Sequence, residues 1–335
     1  MLWPTRLVLS LAFLLALHAG VRGDTFKLAT IAPKDSPYYD ILHDMVDAWR
    51  AASEDRIDIK IYAGNAVGDE ADIVRKMRVG QFQIAAISGG GLPDILPELR
   101  ALQMPMMFAS DEERDYVFDR IHPSLEALAL QRGFKVLAWS PAGWLYFFTQ
   151  RPVVTPDDLR PLGIFAWAGK SGYIEAWKAA GFRPVALPVN EILTSLETGF
   201  LNAVAVPPIA ALSFQWFGLA NHMTNLKWAP LDGAIIMPLK DWQRIPAALQ
   251  PQLLASAQAA GARLDRSIAR LNDTAIDVMK RHNLIVHDVS PALREEWERR
   301  ARLGYPRLIG DTVPEALYRQ VEQLRDEYRA THAAP

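Results

Sequence analysis

From Thr25 onward the chain sets apolar and polar residues in two different rhythms. "TFKLATIA" (Thr25 to Ala32) is a short apolar run of strand length. Ser36 followed by Pro37 opens a helix: a hydroxyl to accept a first-turn N–H, then a ring whose φ is already helical. Ile41, Leu42, Met45, Val46 and Trp49 recur at helical spacing, and "RIDIKIY" (Arg56 to Tyr62) alternates strictly, which predicts a strand-helix-strand unit. A second helix is predicted through Ile73, Val74 and Met77, closing at Gly80 ahead of the strand "FQIAAIS". That strand runs into "SGGG" (Ser88 to Gly91) at the end of a parallel strand, where ligands approach open α/β sheets. The same composition also serves as a plain turn.

The second half echoes the first. "MRVGQFQIAAIS" (Met77 to Ser88) lines up with "LETGFLNAVAVP" (Leu196 to Pro207), sharing a helix end, a glycine and an apolar strand at equal spacing. The expected fold class is therefore α/β with two similar lobes. A long helix is predicted from about Leu249 to His282, with Leu253, Leu254, Ala257, Leu264, Ile268, Leu271 and Ile276 on its apolar side. Further helices follow from Pro291 and Pro314, and the tail after Arg329 reads as frayed. The expected division is the main part of a first lobe over residues 24–145, the main part of a second lobe with hinge strands over 146–240, and C-terminal helices over 241–335 that brace both.

Half of the 335 residues are hydrophobic, enough to bury a sizeable core. The formal charge of −2 supplies no basic field for nucleic acid. Residues 1–23 read as a cleavable secretory signal. Arg6 is followed by an apolar run from Leu7 to Leu17, too short to span a bilayer, and small residues lead to a cut before Asp24. Cysteine is absent, so neither disulfides nor a lipid anchor on cysteine are expected, and the mature chain is expected free in the periplasm.

Candidate chemistry is thin. "GIFAWAGKS" comes close to a phosphate loop, but five residues separate Gly163 from Gly169 where four are needed, and Phe165 and Trp167 fill a stretch that should wrap phosphate with bare N–H groups. It reads better as a strand and the start of a helix. The histidines show no metal spacing, no G-x-S-x-G elbow exists, and no catalytic set or cofactor motif assembles. What remains is a surplus of aromatics beside glycine or proline: "WSPAGWLYFFTQR" (Trp139 to Arg151), "IFAW", "FQWF" and "LKWAP". Strand alternation puts Phe165 and Trp167 on one face, able to form one wall.

In this order the features resemble the extracytoplasmic solute receptors of TRAP transporters, the tripartite ATP-independent periplasmic systems. The resemblance runs from roughly Phe26 to Leu264. It rests on "YAGNAVGDEADIVRKMRVGQFQIAAIS", "LPELRALQMPMMF", "RPVVTPDDLRPLGI", "LPVNEILTSLETGFLNAV" and "LANHMT". It implies a periplasmic-binding-protein clamshell that takes a small solute between its lobes and passes it to a membrane permease, without catalysis.

At four positions the chain departs from that family. The arginine that usually forks onto the substrate carboxylate falls on Phe165, a second arginine falls on Leu145, an asparagine on Val206, and an acidic residue on Ser88. A cleft lined by Leu145, Phe165, Trp167 and Val206 is expected to reject short diacids and favour a hydrophobic or aromatic ligand. Trp144 is expected to contribute to it, with a polar end held by Ser88, Tyr146 or the glycine-loop amides. Two alternatives stay open: a displaced cation (Lys170, Arg151 or Arg183) restores acid binding, or the cleft is filled and the protein serves as an interaction module. Another periplasmic protein is a further conceivable recipient.

Overall fold

The computed structural model describes residues 24–168, 171–310 and 312–332. The expected signal segment and Lys170 lie outside them. Thirteen strands occur among these residues: β1 (Asp24–Thr30), β2 (Ile57–Ala63), β3 (Ile84–Ser88), β4 (Phe134–Trp139), β5 (Gly143–Trp144), β6 (Tyr146–Thr149), β7 (Gly163–Trp167), β8 (Arg183–Leu187), β9 (Ala203–Val206), β10 (His222–Asn225), β11 (Pro230–Leu231), β12 (Gly233–Pro238) and β13 (Ile285–Asp288). They form a five-stranded sheet in the order β2-β1-β3-β12-β4, a six-stranded sheet in the order β13-β10-β6-β9-β7-β8, and a ribbon of β11 with β5 between them. The fold is α/β and two-lobed.

The opening unit forms as its pattern dictates. Ser36 accepts the N–H of Tyr39 and caps the helix Pro37–Ala52, whose Ile41, Leu42, Met45, Val46 and Trp49 pack onto Phe26 and Leu28 of β1. Strands β1, β2 and β3 are parallel. The two echoing segments end alike: Gly80 and Gly199 both take a left-handed φ, 78° and 72°, to leave the helices Glu70–Arg78 and Ile192–Glu197.

Two strands join sheets away from their neighbours in the chain. Strand β12 falls inside 146–240 yet belongs to the first sheet, antiparallel between β3 and β4. All six of its residues are buried, and such a uniformly apolar run fits the middle of either sheet equally well. Within 241–335, β13 is a strand, added parallel to β10 at the edge of the second sheet. It is short and half exposed, so it carries no apolar period to announce it.

The helix Gln250–Arg281 fastens the lobes to each other. Leu253, Ala257, Ala260 and Leu264 enter the core around Trp49, whereas Ala275 and Met279 enter the second lobe's core beside Met223 and Leu284. Thirty-two residues make a rod of about 48 Å. The helix Pro291–Arg302 places Trp297 against Phe147, Phe182 and Trp228 of the second lobe. The last helix, Glu315–His332, packs instead on Asp111–Gln131 of the first lobe. Arg329 pairs with the buried Glu113 and Tyr328 stacks on His332, so beyond Arg329 the chain is helical to His332; the rest of the tail expected to fray, residues 333–335, lies outside the described residues.

The outer edge of the second sheet carries a pH-dependent contact. His222 Nδ1 lies 2.9 Å from His287 Nε2, one ring donating and the other accepting. Burial and then His287 push the His222 pKa below its usual value. The folded chain thus binds this proton less readily than the unfolded chain, so stability is full above the unfolded pKa of about 6.5 and falls as pH drops through and below it. Thermal melts from pH 7.5 to 5 are expected to show a falling Tm, and His287→Gln should flatten that slope.

Candidate functional site

The carboxyl ends of β1, β3, β7 and β9 face one another across the gap between the lobes. On the first lobe the tip of β3 is tied down from within. Asp69 caps the helix Glu70–Arg78, and Glu70 turns its buried carboxylate to accept Ser88 N (2.7 Å), Ser88 Oγ (2.8 Å) and Gly91 N (2.7 Å). Burial pushes the Glu70 pKa up, with the three donors working against it. The loop is all glycine because of its neighbours: a Cβ on Gly91 would stand 2.4 Å from Glu70 Cβ, and one on Gly90 would stand 2.7 Å from Trp167 Nε1. Trp167 of the second lobe thereby reaches across and rests on the first.

Strand β7 explains how. Phe165 and Trp167 share one face, their ring centroids 5.0 Å apart, and both belong to the apolar cluster with Leu187, Val204 and Val206. Ile164 points the other way, into the cluster with Phe147 and Trp297. Trp167, at the strand tip, touches both clusters and stands between two hollows.

The first hollow holds about 130 Å³ and is lined by the β1 end from Thr30 to Pro33, Ser88, Leu145, Phe165, Trp167, Val206 and Trp216. Several of its polar lining groups are already engaged. Tyr38 Oη donates to Ser140 Oγ at 2.8 Å, and Glu70, its one charged lining residue among those described, spends its oxygens on the glycine loop. The second hollow, about 90 Å³, lies on the other side of Trp167 and shares Leu145, Phe165 and Leu231 with the first. Its walls are Trp177 and Trp228, stacked 5.3 Å apart, with Tyr173 and the turn carrying Arg100 and Gln103.

Of the residues singled out from sequence, Phe165, Trp167, Leu145, Val206 and Ser88 line the gap. Ser88 and the amides of Ser88 and Gly91 are not available as a polar end, because Glu70 has taken them. Trp144 lines neither hollow: its Nε1 donates to Asp111 at 2.6 Å, under Lys227. Tyr146 is in register with Val206 but packs outside both hollows, where burial and the charges of Asp111 and Asp273 push its pKa up to about 12. Arg151 and Arg183 are exposed; Arg183 sits at the start of β8, away from the strand tips, bonded to Pro161 O. Among the described residues the cation lining the gap is Arg100. Its signal was a lone cation with a glutamine three residues on inside the largely apolar run "LPELRALQMPMMF". Tyr173 and Trp177 gave no signal.

Among the described residues no group of three His, Asp or Glu could hold a metal ion, and no helix is long and apolar enough to cross a membrane.

Comparison with known proteins agrees with this geometry. A solute-binding protein of Verminephrobacter eiseniae is 25% identical over 63% of this chain and 63% of its own length. The 2,3-diketo-L-gulonate-binding periplasmic protein of Escherichia coli K12 is 23% identical over 85% of this chain and 84% of its own. In structure, a TRAP periplasmic solute-binding protein of Xanthobacter autotrophicus Py2 with bound beta-D-galacturonate superposes with a TM-score of 0.82, at 16% identity, over 90% of this chain and 99% of that one. The model of the bacterial extracellular solute-binding proteins of family 7 matches residues 28–309. The chain belongs to that family, whose members are the solute receptors of TRAP transporters and not enzymes.

Proposed function

We propose that this receptor is exported to the periplasm, where it captures a small ligand with an apolar or aromatic body and hands it to a TRAP permease. The observation that carries the reading is the first hollow: Leu145, Phe165 and Val206 form its wall, and no cation among the described residues lines it. An ion entering such a wall without a partner loses several kcal/mol of hydration, whereas each Å² of apolar surface covered contributes about 25 cal/mol. The relatives named above bind 2,3-diketo-L-gulonate and beta-D-galacturonate, both acids. In this chain the corresponding reading rests on its own wall, which is apolar. Contact of Trp167 with Gly90 ties ligand binding to closure, since a ligand touching both lobes binds the closed form better and shifts the population toward it. The two hollows leave room between the aromatics, which favours a receptor over a filled interaction module.

Titration of intrinsic tryptophan fluorescence with compounds of aromatic or isoprenoid body, against succinate and galacturonate, tests this. A saturable change with the former at millimolar concentration or below is expected. A response confined to the short or sugar acids would overturn the apolar ligand and leave the receptor assignment standing.

A further inference from the structure

The second hollow contains donors that the protein does not use. Arg100 Nε, Gln103 Nε2 and the Tyr173 hydroxyl are each shielded from solvent, and none has a hydrogen-bond partner. Buried polar atoms are nearly always bonded in folded proteins, so three orphans around one space call for an explanation. Arg100 and Gln103 stand three apart on the turn Pro97–Gln103, a 3₁₀ segment, which puts their side chains on one side. Tyr173 approaches from the helix Ser171–Ala179 of the other lobe. The remaining orphans, Trp49 Nε1, Asp232 Oδ2 and Asp241 Oδ2, line no space with these three.

The set has a definite chemistry. It offers a fixed positive charge, an amide N–H and a phenol O–H, and no carboxylate lines the hollow among the described residues. One cation with two neutral donors matches a single negative charge spread over two oxygens. A doubly charged phosphate would be left half-compensated. The faces of Trp177 and Trp228 beside them suit a flat or aliphatic body.

We propose that Arg100, Gln103 and Tyr173 form a carboxylate-reading subsite, and that the solute is a monocarboxylate whose apolar body lies along the shared wall of Leu145, Phe165 and Trp167. This deepens the reading of an apolar-bodied ligand and rests on it. The charge recognition absent at Phe165 is supplied from the other side of Trp167, by the opposite lobe.

The test compares 3-phenylpropanoate with neutral 3-phenylpropanol by isothermal titration calorimetry on the wild type, Arg100→Met, Gln103→Leu and Tyr173→Phe. The acid is expected to bind about 10- to 100-fold more tightly than the alcohol. In Arg100→Met that preference should collapse to within about twofold while the alcohol's affinity holds, and Gln103→Leu and Tyr173→Phe should each remove part of it. Without ligand, Arg100→Met should melt at or above the wild-type temperature, because a buried Nε–H lacking a partner is a cost to the empty fold. Equal binding of acid and alcohol to the wild type overturns the subsite and leaves the apolar-bodied ligand intact. A preference that survives Arg100→Met, or a lower melting temperature with unchanged binding, overturns it in favour of a structural role for Arg100. Binding of neither compound counts against both readings.

Discussion

Asp232→Ala is expected to lower the stability of the protein by about 3–5 kcal/mol, the range for a buried ion pair that loses one partner. Asp232 is 1% exposed and stands between β11 and β12, where the chain leaves the ribbon for the first sheet. Its Oδ1 accepts from Arg114 of the helix Asp111–Gln131, whose side chain is 11% exposed. Burial would push the Arg114 guanidinium toward losing its proton, and Asp232 together with Asp115 outweighs that, holding its pKa above the usual value. Without the carboxylate, a largely buried charge is left with the half-exposed Asp115 beside it. Urea unfolding reads the loss directly. The double variant Arg114→Met, Asp232→Leu should regain most of it, because removing both charges costs far less than removing one. A loss under 1 kcal/mol in the single variant would show that the pair is solvated in solution.

Phe165→Arg is expected to weaken binding of apolar-bodied ligands by 100-fold or more and to lower the melting temperature. Phe165 is 3% exposed, wedged among Leu187, Val204 and Val206, and it lines both hollows. A guanidinium there has two courses, and each leads to loss: it stays buried without a partner, at a cost of several kcal/mol, or it swings into the gap and fills the ligand's place. Calorimetry with 3-phenylpropanol, which has no charge to answer the new cation, isolates the loss of apolar contact. A gain of succinate binding in the same variant would confirm that Phe165 stands where other receptors of this family hold their substrate arginine. Unchanged affinity for the alcohol would place the ligand elsewhere.

Much of the architecture could be read from spacing. The strand-helix-strand opening, the capped helix at Ser36 and the matched turns at Gly80 and Gly199 each follow from residues within a few positions of one another. Strands β12 and β13 could not be placed the same way. One is apolar throughout and the other half polar, and both are assigned to a sheet by partners more than fifty residues away in the chain. The site divides along the same line. Alternation along β7 put Phe165 and Trp167 on one wall. That Trp144 would bond Asp111, or that Glu70 would bond the glycine loop, depends on side chains 33 and 18 residues apart whose meeting no local pattern encodes. Arg100 stands in plain view in the sequence, but only the fold shows its Nε buried without a hydrogen-bond partner.

Glu70 also bears on what the receptor turns away. With its carboxylate lodged on the amides of the β3 tip, the protein carries a permanent stand-in for an acid at that end of the gap. An incoming acid group finds those amides taken and, whenever Glu70 is ionised, meets like charge. A solute with acids at both ends would have one of them facing this occupied berth in either orientation, so on the proposed reading diacids are disfavoured by what the protein already holds as well as by what it lacks.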